Sequence, residues 1–145
     1  MNDSRLRILD TDTLSAYHRG HPEVVARYSA LPLVLRAITV VTAEEVLRGR
    51  FAQINQAKKT EKLILAYDFL REAVVNLSRI RILRFDEQAA SRYGRIKSLK
   101  TRVGTLDLRI AAIALSNNAI LITANQRHFR QVPELITEDW TVATS

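Results

Sequence analysis

Residues 5–20 read RLRILDTDTLSAYHRG. The short apolar run Ile8-Leu9 ends abruptly in Asp10-Thr11-Asp12-Thr13, and the reading of that junction decides the fold. In an extended chain, positions i and i+2 point to the same side, so a strand finished in this way carries two carboxylates on one face. Like charges that close repel and raise each other's pKa unless something positive sits between them. A helix N-terminus, a partner side chain or a metal ion would each supply it.

Outward from this junction, strand-length apolar runs alternate with helical patterns. Residues 7–9 read as a strand, and 37–41, brief and β-branched, as a buried one. Residues 13–19 and 22–31 read as short helices, the second with Pro22 at its start. A helix follows from 42 to about 56. Another spans 60–77, with Leu63, Tyr67, Leu70, Val74 and Leu77 spaced as one apolar stripe. Ile82-Leu83 reads as a third strand, and Asp86 caps a helix running towards Lys100. Residues 106–117 are helical, 120–123 a strand, and Leu135-Ile136 a last apolar pair. Strands separated by helices predict an α/β fold with a mainly parallel sheet. In such sheets ligands gather beyond the carboxyl ends of the strands, where Asp10 lies.

The totals agree. The chain has 145 residues, no cysteine, four glycines and three prolines. That length suits one domain over 1–145 and buries roughly 70% of its unfolded surface. The lack of cysteine excludes disulfide frameworks and thiolate zinc sites, and agrees with a reducing, cytoplasmic location. No apolar run approaches the ~20 residues of a membrane span, and no signal-peptide core is present. Twenty-two Lys and Arg against 15 Asp and Glu leave a formal charge of +7, which favours a polyanionic partner, nucleic acid first.

Further acids and an amide stand at positions comparable to Asp10. Val40-Val41 is followed by Thr42-Ala43-Glu44-Glu45, and Ile120-Leu121-Ile122 by Thr123-Ala124-Asn125. Asp107 lies in the first turns of GTLDLRIAAIAL, which leads into that last strand. On parallel neighbouring strands these groups converge on one crevice. Hard divalent cations such as Mg²⁺ and Mn²⁺ take carboxylate and water oxygens and assist in-line attack on a phosphodiester. Plainer roles stand beside this one. Asp12 can cap the helix at Thr13, Thr42-x-x-Glu45 matches a capping box, Asp107 suits a helix dipole, and Asn125 suits a turn. The pair His18-x-x-His21 lacks further ligands.

Four ordered pieces, ILDTDTLSAY, ITVVTAEEVLRG, GTLDLRIAAIAL and LITANQRHFRQVPEL with its tail ITEDW, together resemble the PIN-domain family, and within it the VapC-type toxins of prokaryotic toxin–antitoxin pairs. The resemblance spans nearly the whole chain. It implies a three-layer α/β/α fold with a mainly parallel central sheet, and a Mg²⁺- or Mn²⁺-dependent ribonuclease silenced by a cognate antitoxin. By the same resemblance the family's acids fall on Asp10, Glu45 and Asp107 as metal ligands. Its fourth position, often acidic, holds Asn125. Asp12 replaces a more common Asn and partly compensates, while Thr11 and Thr123 hydrogen-bond the carboxylates. An antitoxin segment lying along the 60–77 helix and a homodimer are implied as well. With no histidine or lysine evident as a base, the attacking water relies on the metal.

Basic residues flank these motifs. Lys100 and Arg102 precede Asp107, and Arg127 and Arg130 follow Asn125; all four are candidates for an RNA backbone, Arg127 first. Trp140 is expected to plug the C-terminal strand against the core. The competing readings are a PIN nuclease working without an antitoxin, an inactive PIN scaffold that binds RNA or protein, and a small basic helix-turn-helix protein, which would not need acids at successive strand ends.

Overall fold

The computed structural model describes residues 3–143. Five strands, β1 (Arg7–Leu9), β2 (Arg36–Thr39), β3 (Arg81–Leu83), β4 (Ile120–Ile122) and β5 (Ile136–Glu138), form one all-parallel sheet in the order β3-β2-β1-β4-β5. Seven α-helices connect them: α1 (Thr11–His18), α2 (Pro22–Ala30), α3 (Val40–Gln56), α4 (Thr60–Leu77), α5 (Glu87–Lys97), α6 (Thr105–Ser116) and α7 (Gln126–Phe129). Strand order runs outward from β1 in both directions. The switch point therefore lies between β1 and β4, and its crevice opens at their carboxyl ends.

Period-two alternation sorts the core into two layers. Ile8, Ala37, Leu83 and Leu121 face α5, α6 and α7, packing on Ala89, Ile96, Ile110, Ile113 and Phe129. Leu9, Ile38, Ile120 and Ile122 face the other way, towards Leu14, Val24, Tyr28, Leu77 and Trp140. Helices on both faces of a parallel sheet make the expected three-layer sandwich. Trp140, only 4% exposed, closes the second layer behind β5 and donates its Nε1–H to Glu138 Oε1 at 3.1 Å. Leu108 and the whole run Ile110–Ala114 are buried, so α6 is the central helix of its layer.

Three expectations require correction. The second strand ends at Thr39, and Val40 and Val41 already form the first turn of α3. The Thr39 hydroxyl accepts the Thr42 N–H at 3.1 Å, and that cap outweighs the β-propensity of two valines. The helix α1 begins at Thr11, so Asp10 and not Asp12 is its cap. On α4 the inward stripe is Ala66, Leu70, Ala73 and Leu77, while Leu63, Tyr67 and Val74 are 38–53% exposed. Both rows satisfy the helical period. The row with alanines faces inward because small side chains let α4 lie close against α3.

Candidate active site

Asp10 leaves β1 at the switch point. Its N–H donates to the Ile122 carbonyl at 3.0 Å, tying the end of β1 to β4. Its carboxylate accepts the Thr13 N–H at 2.9 Å, and the Thr13 hydroxyl donates to Ile122 O at 3.1 Å. Thr123, buried just after β4, has its hydroxyl on the same side and offsets part of the burial of this carboxylate. Burial pushes the Asp10 pKa up, Thr123 and Thr13 partly offset it, and the charge of Asp12 adds to the rise.

Glu45 reaches the same crevice from the second turn of α3. The Thr11 hydroxyl donates to Glu45 Oε1 at 2.6 Å and lies 3.1 Å from Thr42 Oγ1. Thr39 is the cap of α3, which leaves Thr42 inside the helix, so the capping-box reading of Thr42 and Glu45 does not hold. Burial raises the Glu45 pKa, Thr11 lowers it, and Asp107, Asp12 and Asp10 raise it further. The charges of Asp107, Asp12 and Asp10 are therefore near enough to be felt at Glu45.

Asp107 stands in the first turn of α6, whose cap is Gly104. Its pKa is raised by burial, held back by His128, and raised again by Asp12. His128 Nε2 lies 3.4 Å from Asp107 Oδ2. Sequence reading missed this imidazole, having found no histidine near the site. The only signal available was its position three residues after Asn125, on a helix too short to have a readable period. Asn125 itself is exposed, its side chain makes no capping bond, and its N–H donates to Thr123 Oγ1 at 3.0 Å. Asp12 is exposed in the first turn of α1.

The basic candidates are all exposed and lie on two segments joined to each other. Lys100 and Arg102 are exposed in the turn between α5 and α6, at the end of α6 that carries Asp107. Lys100 adopts φ 54°, and the Arg102 N–H donates to Gln131 Oε1 at 3.0 Å, joining this turn to the segment after α7. Arg127 and Arg130, on and just after α7, are exposed. Among the described residues no lysine or arginine forms an ion pair with Asp10, Asp12, Glu45 or Asp107. His18 and His21 are not part of this crevice; His21 Nδ1 instead accepts the Val24 N–H at the start of α2.

The donor set suits a hard divalent cation. Three carboxyls with raised pKa values, Asp10 and Glu45 held by threonines and Asp107 beside His128, have no lysine or arginine partner among the described residues and leave negative charge that an ion would neutralise. Among the described residues no three His, Asp or Glu side chains close into a cage around one point.

The comparisons with known proteins converge. The family model described as "PIN domain" matches residues 7–135. The chain is 31% identical over 140 residues to a protein named Ribonuclease VapC1 from Haemophilus influenzae, covering 92% of this chain and 97% of that one. It is 28% identical over 137 residues to a tRNA(fMet)-specific endonuclease VapC from Salmonella typhimurium, covering 92% and 96%. Among solved structures, the DNA-bound VapBC of Salmonella typhimurium superposes with a TM-score of 0.77 at 27% identity, covering 94% of this chain and 98% of that one.

Proposed function

Because this chain belongs to the PIN-domain family, we propose that it is a divalent-metal-dependent endoribonuclease and the toxin of a toxin–antitoxin pair. What supports the reading most is Asp10 at the switch point with the Glu45 carboxylate coupled to it and to Asp107, and with no lysine or arginine ion-paired to any of the three among the described residues. The ribonuclease names of its relatives support the reaction class. The resemblance to VapBC assemblies supports an antitoxin partner.

In this reading Asp10, Glu45 and Asp107 hold Mg²⁺ or Mn²⁺. Such an ion, when bound, stabilises charge on the phosphate and lowers the pKa of an attacking water. The chain's own residues do the positioning. Thr11 fixes the Glu45 carboxylate, Thr13 and Thr123 fix Asp10, and His128 orients Asp107. Asp12 adds negative charge from the rim, and Asn125 is free to hydrogen-bond substrate. Lys100, Arg102, Arg127 and Arg130 steer and hold the RNA backbone.

The outward row of α4 supports the antitoxin contact. Ile64, Leu65, Tyr67 and Phe69 are 42–58% exposed, and Leu65 and Phe69 border a groove of about 510 Å³ between α3 and α4. A homodimer and a cytoplasmic location complete the proposal; among the described residues no helix is long and apolar enough to cross a membrane.

The test is cleavage of a mixed tRNA and rRNA pool by partner-free protein, with Mg²⁺ or Mn²⁺ and with EDTA. Cutting that needs metal and disappears in Asp107→Asn is expected. A folded wild-type protein that cuts no RNA and gives no heat in a calorimetric Mg²⁺ or Mn²⁺ titration would overturn the reading and leave a binding scaffold.

A further inference from the structure

Two segments distant in sequence meet beside Asp107. One runs from Arg102 in the turn after α5 into the first residues of α6, and it carries Asp107. The other comprises the end of α7 and the residues that follow it, from His128 to Val132. Two contacts join them like rungs. At the first, His128 Nε2 lies 3.4 Å from Asp107 Oδ2. At the second, the Arg102 N–H donates to Gln131 Oε1 at 3.0 Å. The same side-chain amide also turns back on its own segment, where Gln131 Nε2 donates to the His128 carbonyl at 3.3 Å. Gln131 is thus bonded to both segments, and on its own segment to the residue that meets Asp107.

The length of α7 explains the need for such a tie. Its four residues, Gln126–Phe129, close about one turn, and a helix that short is not stable by itself. Its last carbonyls find no partner within the helix, and Gln131 supplies one to His128. The backbone around the rungs is anchored from below. Phe129, Val132 and Val103 are 2–6% exposed and belong to one buried cluster. Gln131 itself is exposed, so removing its amide breaks the tie and leaves those anchors in place. At 3.4 Å the contact between His128 and Asp107 is near the limit of a useful hydrogen bond. A shift of a few tenths of an ångström between the two segments would therefore lose it.

We infer that Gln131 is a positioning residue for the metal site, holding α7 against the turn before α6 at the separation that lets His128 meet Asp107. The inference rests on the metal-dependent ribonuclease reading above. Groups that hold a ligating side chain in place are worth about 10- to 100-fold in metal affinity. That weight falls on His128, which approaches the Asp107 carboxylate directly. Gln131 acts through His128 and carries the weight of one neutral hydrogen bond, about 2- to 10-fold.

The experiment is calorimetric titration of Mn²⁺ into partner-free protein at a single pH, with urea unfolding of each metal-free variant. Gln131→Met keeps the length of the side chain and removes both hydrogen bonds. It is expected to weaken Mn²⁺ binding about 2- to 10-fold, with the urea midpoint unchanged, as befits an exposed position. His128→Ala should lose about 10- to 100-fold, and His128→Gln, which keeps an N–H at the end of the side chain, should recover most of that loss. In the His128→Ala background, Gln131→Met should have no further effect, because the two residues act in series. Equal Mn²⁺ affinity of wild type and Gln131→Met would overturn the role of Gln131 while leaving the nuclease reading intact. A loss of the same size in the His128→Ala background would also overturn it, since Gln131 would then act independently of His128. So would a loss matched by a lower urea midpoint, which would make Gln131 part of the fold alone. Wild type that takes up no Mn²⁺ would remove the metal site, and this role with it.

Discussion

Asp10 carries two duties that substitution can separate. Its carboxylate accepts the Thr13 N–H as the cap of α1, and it belongs to the acid cluster. Asparagine caps a helix about as well as aspartate, while alanine costs about 1 kcal/mol. Asp10→Asn is therefore expected to abolish cleavage without lowering stability in urea, whereas Asp10→Ala loses both. Removing one charge from a repelling cluster gives the asparagine variant a small gain in the metal-free state. Loss of folding in Asp10→Asn would make the acid structural.

The raised pKa values set a pH dependence of definite sign. Asp10, Glu45 and Asp107 each hold protons more tightly folded than unfolded. Above the folded-state values all three are ionised in both states, and the folded state bears the repulsion and desolvation. As pH falls through the folded-state values, the native protein takes up protons first, so this contribution becomes less unfavourable until about pH 4, where the unfolded carboxyls titrate too. Metal-free protein should thus lose less stability than its acid content suggests between pH 7 and pH 5. Added Mg²⁺ should raise Tm at pH 7.5 and do little at pH 5, read by thermal scans with and without EDTA. A metal effect that is the same at both pH values would count against these carboxylates as the ligands.

At the scale of elements, α4 shows how two stripes of equal period are told apart. Ala66 and Ala73 are 4–5% exposed, where α4 packs on α3. Ala66→Leu should force the helices apart and cost about 1–3 kcal/mol in denaturant unfolding. On the outward side Ile64→Ser, at a 58% exposed position, should change stability by less than about 0.5 kcal/mol, yet weaken capture of the antitoxin. The helix α3 depends on its cap in the same way. Thr39→Ala, at a fully buried position, should cost about 1 kcal/mol or somewhat more and loosen the first turn that aims Glu45.

At the scale of the molecule, a charge of +7 coexists with an acidic crevice. The positive charge acts at a distance and the acids act at contact, so on the proposed function the field would draw in RNA and a bound metal would let it reach the acids. Binding should weaken steeply with salt. Arg127→Ala should reduce the slope of log K against log salt by about 0.7 if that side chain touches one phosphate of a single strand. An unchanged slope would remove Arg127 from the interface.

Much of this was legible in the chain. The alternation of apolar runs and helical periods determined the α/β class. The strand-end rule pointed to Asp10, and the resemblance to the PIN-domain family singled out Glu45 rather than Glu44, and Asp107 in the first turn of a helix. Short-range signals that compete within a few residues were decided only by tertiary structure. Asp10 rather than Asp12 caps α1 because the backbone of Asp10 is held extended by its bond to Ile122 on β4. Val40 and Val41 turn helical because the buried Thr39 hydroxyl ends the strand before them. The meeting of His128 with Asp107 and the inward turn of the α4 alanines are also tertiary. Each depends on the distance between elements remote in sequence, and no local period encodes that distance.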